Sequence, residues 1–293
     1  MEIGAIVLQL TLSGMTVGAI YGIVGLGFTI IYNATSAINF AQGEFVMLGG
    51  MIAVSLVAAH VPLYIVLPLT GLLVAGVGVL LERFAIRPVS NRPVFAMITV
   101  TIGASVVLQG IARLIWGPDT QSLPAFSGET PIAVGPAALS PQEIWVAGMG
   151  LLIVLAVEIF FRTTVVGKAM RACAIDRTAA KLAGINVDRM NMLAFALSAG
   201  ISGIAGVVLT PLTMMSYASG GSLAVKGFCA AIVGGLGNGV GAVIGGVLIG
   251  VLEALGAGFI SSGYKNAFAF LVLLLVLFLR PGGIFGRKSA KGL

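Results

Sequence analysis

The chain has 293 residues, of which 58% are hydrophobic and 9% charged, with a net charge of +6. A water-soluble domain carries roughly a quarter charged residues, so most of this surface must face lipid or other helices. The apolar runs are continuous rather than alternating, which excludes a β-barrel, and Cys173, Cys229 and the lone His60 offer no disulfide framework or metal spacing. His60, between two apolar segments, reads as an interfacial or loop residue.

Met1-Glu2-Ile3 lacks the basic start of a signal peptide, so the first apolar run is expected to be a permanent span. No charge stands between Glu2 and Glu44. As one helix that stretch would run to about 60 Å, twice the roughly 30 Å hydrocarbon thickness. It therefore predicts a span over Ala5–Tyr32, then a bend in the polar, uncharged stretch from Asn33 to Gly43. Further spans are predicted over Glu44–Ala59, Leu63–Leu81, Val94–Trp116, Gln142–Phe161 and Met190–Met215. The last apolar block divides at Gly- and Ser-rich points into Leu223–Gly235, Gly241–Ile260 and Asn266–Leu279. The fold class is thus all-α and polytopic, a single transmembrane domain over 1–293 with about nine spans, eight being the lower count.

Thirteen of the sixteen basic residues fall in three places: Arg83 to Arg92, Arg162 to Arg189, and Arg280 onward. The connection 117–141 holds Asp119 and Glu129 and no Lys or Arg. The positive-inside rule then puts the three basic regions and the C-terminus in the cytoplasm, with 117–141 periplasmic. This asymmetry accounts for the net charge, with an attraction to anionic lipid, and nucleic acid is not needed as a partner.

Two segments carry mechanism. The first is the polar break 33–44. Irregular or polar backbone at membrane depth is tolerated only where it is buried in protein or lines a wet cavity, and broken helices are how transporters present helix ends to zwitterionic substrates. Asn39, Gln42 and Glu44 become candidates for lining the substrate path, with Gly43 permitting the bend. The plainer alternative is an ordinary inner-face loop in which Asn39 caps the next helix.

The second is the cytoplasmic segment 162–189. Ala169, Met170, Ala172 and Cys173, then Ala179, Ala180, Leu182, Ala183 and Ile185, predict one or two short helices with an apolar face. Asp176 is placed to cap the second and Gly184 to end it. Such a face suits either the lipid interface or a partner subunit.

Thr178-Ala179-Ala180 with Gly184 four residues beyond Ala180 resembles the EAA–G loop of ABC-importer permeases, with Thr in place of the usual Glu. NFAQGEF (39–45), GKAMRACAID (167–176), AAKLAGINVDR (179–189) and GGLGNGVGAVIGG (234–246) resemble the permeases of branched-chain amino acid ABC importers, the LivH/LivM family, and the LivH type more than its partner. The resemblance covers essentially the whole chain. It implies ABC-importer permease architecture in the bacterial inner membrane and a cargo of branched-chain amino acids, urea or short amides being carried by related permeases. It also implies a second, LivM-like permease, two cytoplasmic ATP-binding subunits and a periplasmic binding protein as partners. Arg171, Asp176, Thr178, Ala179, Ala180 and Gly184 become the candidate contacts with the ATPase.

No G-x-x-x-x-G-K-[ST] phosphate loop is present. A transport subunit without enzyme activity or cofactor is expected, with ATP hydrolysed by another chain. The glycine block from Gly234 to Gly250 follows no strand, and its small-xxx-small spacing reads as close helix packing, a hinge being the alternative. Glu253, inside a predicted span, is expected to be protonated, paired with Lys226 or Lys265, or near the outer surface. Glu82 and Glu158 are expected to pair locally with Arg83 and Arg162. A self-sufficient secondary transporter would need ion-coupling residues, and only Glu253 and Glu44 are on offer. A membrane enzyme would need paired carboxylates, a His cluster or an activated nucleophile, and none is seen.

Overall fold

The computed structural model describes residues 3–90, 92–128 and 130–286. Glu2, Glu129, Arg287, Lys288 and Lys291, which entered the charge argument, lie outside the described residues. Eleven α-helices run in chain order among those described: α1 (Ile3–Thr35), α2 (Gln42–Ala58), α3 (Leu63–Leu81), α4 (Val94–Trp116), α5 (Pro141–Thr163), α6 (Val165–Ile175), α7 (Arg177–Leu182), α8 (Val187–Thr213), α9 (Ser219–Gly234), α10 (Gly239–Phe259) and α11 (Lys265–Leu279).

Seven helical stretches among these residues are long and apolar enough to cross a membrane: Ile3–Thr35, Leu63–Val89, Phe95–Trp116, Pro141–Thr163, Val187–Thr213, Gly239–Phe259 and Ser262–Leu279. Of the about nine spans expected, seven are of this length, and the two remaining, α2 and α9, are shorter apolar helices. The physical reason is that both short helices start inside the bundle rather than at its edge, as their contacts show below.

The two ends of the bundle differ in chemistry. At one, β1 (Ile132–Val134) and β2 (Ala137–Leu139) form a hairpin. Gln9 on the opening turns of α1 donates to the Ala138 carbonyl and accepts from its amide, each at 2.8 Å. Ser140 and Glu143 form a reciprocal capping box that starts α5. At the opposite, basic end lie α6, α7 and Arg87, which pairs with Asp188 at 3.1 Å.

α1 is the central post, because it packs on α10, α9, α8, α5 and α2. Its contact with α10 is made by glycines on both sides. A methyl group at Gly246 would fall on the backbone of Gly22, and one at Gly18 would lie 2.6 Å from Val247 Cα. Close backbone approach through small residues is how membrane helices gain van der Waals contact where lipid and side chains are equally apolar. α4, α5 and α11 turn long rows of Leu, Ile, Val and Phe outward, as lipid-facing helices do.

One local expectation needs correction. Glu82 is buried at 2% exposure and forms no ion pair among the described residues, one of its carboxyl oxygens being without a partner; Arg83 points outward instead. Of the alternatives for Glu253, pairing holds: it is 1% exposed, and its carboxyl lies 2.6 Å from Lys226 and 3.8 Å from Lys265. Glu158 does pair with Arg162, one turn along α5.

Candidate functional site

The break between α1 and α2 runs from Ser36 to Ala41, shorter than the 33–44 read from the sequence. Helix α1 continues through Asn33, whose side chain donates to the Gly237 carbonyl at 3.0 Å. Helix α2 already includes Gln42, Gly43 and Glu44. Ser36 takes the left-handed φ of 56° that turns the chain back toward the bundle. Asn39 does not cap α2, whose N-cap position is Ala41. Its Oδ1 instead accepts the Ala41 amide at 3.1 Å, an Asx turn just ahead of the helix, and its Nδ2 is buried without a partner.

The depth of this break follows from its partners. Gln42 Nε2 donates to Ser202 Oγ at 2.7 Å, and Ser198 Oγ donates to Gln42 Oε1 at 2.9 Å. Ser198 and Ser202 lie roughly 16 and 22 Å along α8 from its start. Glu44 Oε1 accepts from Ser105 Oγ at 2.9 Å and from Gln109 Nε2 at 2.8 Å. These lie about equally far along α4. The first turn of α2 therefore sits near the middle of two membrane-length helices. Asn39, Gln42 and Glu44 are 1%, 0% and 0% exposed, so the polar stretch is internal to the protein and not a loop on its face.

A second helix start meets the first there. Any side chain at Gly220, in the opening turn of α9, would overlap the Glu44 carboxyl, and one at Gly43 would fall on Gly220 O and the Ala224 amide. Glu44 thus sits against the positive end of α9, which favours an anion. Its second oxygen, Oε2, is buried with no hydrogen-bond partner.

Sequence reading missed the other wall of this site. Thr101, Ser105, Gln109 and Arg113 recur at every fourth residue of α4 and form one polar stripe. Thr101 Oγ1 accepts the Phe40 amide at 3.2 Å, Ser105 and Gln109 hold Glu44, and Arg113 stacks on the Tyr217 ring at 5.4 Å. The i, i+4 spacing within an apolar helix was the available signal.

At the basic end, Asp176 Oδ1 accepts the amides of Thr178 and Ala179 and caps α7. Gly184, at φ 83°, ends it: its amide reaches the Lys181 carbonyl and the Ile185 amide reaches that of Ala180, each at 3.0 Å. Ala180 packs with Cys173 and Val187 on the inside, while Arg171, Thr178 and Ala179 face out. Ile175 and Leu182 stand 83% and 86% exposed, so α6 and α7 carry an unpartnered apolar edge. Arg177 points inward, donating to the Ala34 carbonyl in the last turn of α1 and to Asn191 Oδ1. Burial pulls its guanidinium below the ordinary value, though an arginine stays charged.

The family model described as branched-chain amino acid transport system, permease component, matches residues 10–277. The chain is 35% identical over 97% of both chains to the high-affinity branched-chain amino acid transport system permease protein LivH of Salmonella typhimurium. It is 32% identical, with the same coverage, to the permease protein BraD of Pseudomonas aeruginosa. Among solved structures it is similar to PsaBC from Streptococcus pneumoniae in complex with a Fab, with a TM-score of 0.51 and 15% identity over 95% of this chain and 93% of that one. That last likeness concerns the fold alone.

Proposed function

We propose, from the premise that this chain belongs to the family of branched-chain amino acid transport permease components, that it conducts branched-chain amino acids across the bacterial inner membrane as one subunit of an ATP-driven importer. The observation that carries the reading is identity along nearly the full length to relatives named for that transport. In this reading the basic end and the C-terminus face the cytoplasm and the 117–141 connection faces the periplasm. Helices α1 to α5 and α8 to α11 are the nine membrane elements, seven of full length and two entering from within.

The α6–α7 segment is the docking site of a cytoplasmic ATPase subunit. Its exposed Ile175, Ala179 and Leu182 supply apolar area, Arg171, Asp176 and Thr178 supply the polar rim, and Ala180 and Gly184 shape the helix. Two such ATPase subunits, a LivM-like second permease and a periplasmic binding protein complete the importer, and ATP is hydrolysed in the ATPase chains. Substrate passes the break at Asn39, Gln42, Gly43 and Glu44, a polar cluster at mid-bundle that is closed in this conformation and opens during transport.

Co-purification of the tagged chain with mass spectrometry, followed by uptake of labelled leucine, isoleucine and valine into proteoliposomes, tests this. ATPase and second-permease subunits should accompany the chain, and Ile175→Asp with Leu182→Asp should release the ATPase. A chain that purifies alone and transports without ATP would overturn the reading.

A further inference from the structure

The first turns of α2 and α9 meet at mid-bundle with a carboxyl group and a helix end side by side. Glu44 has one carboxyl oxygen held by Ser105 and Gln109 and the other held by nothing, at 0% exposure. The residue ahead of α9 is Ala218, which has no side-chain oxygen with which to cap it. The Gly220 and Gly221 amides donate to nothing outside the helix. The first amides of any helix lack intrahelical partners and carry the positive end of its dipole. A negative carboxyl and a positive helix end in contact match a zwitterion, which presents the same two charges in reverse.

We propose that Glu44 and the opening turn of α9 form a transit site for the head group of an α-amino acid. The Glu44 carboxylate takes the ammonium, and the Gly220 and Gly221 amides take the carboxylate. This rests on the reading of the break as the substrate path. In the present conformation the site is closed on itself. Ser105 and Gln109 supply the donors that an ammonium would bring, and Glu44 itself occupies the helix end that a substrate carboxylate would take. Entry exchanges one set for the other and leaves no charge unpaired, which is the condition for a charged head group to pass through a low-dielectric interior. The α4 stripe is the wall that moves, because α4 reaches the break through the hydrogen bonds of Thr101, Ser105 and Gln109, which can exchange partners, and turns much of its remaining surface outward. Glycine at 43 and 220 is required for a steric reason, since a side chain at either would fill the site.

The test uses the complete importer in proteoliposomes with internal ATP. Glu44→Gln, which keeps shape and removes charge, should lower leucine uptake per ATP hydrolysed at least ten-fold while the complex still assembles and hydrolyses ATP. Glu44→Asp should recover part of that loss. A second measurement does not depend on Glu44 variants folding. Ser222, exposed one residue beyond Gly221, is replaced by Cys and its alkylation rate followed. L-leucine should slow it several-fold, while leucinamide, lacking the carboxylate, and 4-methylpentanoate, lacking the ammonium, should not. Wild-type uptake per ATP in Glu44→Gln, or equal effects of all three compounds, would overturn the proposal. A wild type that moves no branched-chain amino acid sinks the substrate reading alone, and the alkylation assay then decides the transit site with the α-amino acid it does carry.

Discussion

Lys226 Nζ lies 2.6 Å from Glu253 Oε1 and 2.9 Å from the Tyr21 hydroxyl, so one charge network ties α9, α10 and α1 together inside the bundle. Lys265 approaches the same oxygen at 3.8 Å, and the ammonium of Lys226 also lies 5.1 Å from the centre of the Tyr21 ring. The pair is held by geometry that a membrane interior makes hard to replace, since removing one partner strands the other charge in low dielectric. Breaking a buried pair costs about 3 kcal/mol. Lys226→Met should therefore lower the thermal unfolding midpoint in detergent markedly, and Lys226→Met with Glu253→Gln should recover much of the loss. Equal melting of single and double variants would show that the network contributes little.

The α1–α10 seam predicts a contrast between glycines. Gly246→Ala places a methyl on the Gly22 backbone, which neither helix can avoid without separating. Overpacking of this kind costs about 2 kcal/mol. Gly103→Ala on α4 meets nothing within 4 Å and gains helix propensity. Membrane yield and melting temperature should fall for the first and hold or rise for the second.

Much of the architecture was legible because membrane helices write their boundaries in charge. The bounds of α3 and α4 agree with the sequence reading to the residue, and those of α5 and α11 to within about two, because basic or polar residues stop each apolar run. The capping of α7 by Asp176 and its ending at Gly184 were equally plain, being set by local backbone chemistry. What stayed hidden was depth. Nothing local distinguishes a helix that begins at the membrane edge from one that begins halfway in, so α2 and α9 were counted as spans like the others. The partners of Glu44 were hidden for the same reason, because Ser105 and Gln109 sit about 60 residues away in sequence. Glu82 misled by proximity: Arg83 is its neighbour in sequence but lies on another face of the helical turn.

Gly184 separates backbone strain from docking. It takes φ 83°, and a methyl group there would stand in open space, so Gly184→Ala strains the turn without a clash, at about 1 kcal/mol. Gly184→Asn, which tolerates the left-handed region, should cost less. If the segment seats in an ATPase groove, Gly184→Leu should lose co-purifying ATPase by far more than that strain accounts for. Retention of ATPase by Gly184→Leu at the level of Gly184→Asn would place the groove elsewhere.

The two cysteines give a last prediction, about reactivity. Cys173 and Cys229 are 2% and 1% exposed and form no disulfide. Cys173 lies outside the membrane helices, where burial pushes its thiol above the ordinary value and the nearby Arg177 charge only partly opposes this. Alkylation proceeds through the thiolate, so a raised thiol is mostly protonated at neutral pH, and burial withholds what thiolate there is. The native chain should take up essentially no maleimide in detergent at neutral pH, and both thiols should react once it is denatured. Rapid labelling of Cys173 in the native chain would mean that α6 and α7 lift away from Val187 and Ala180, opening the small core on which the segment is seated.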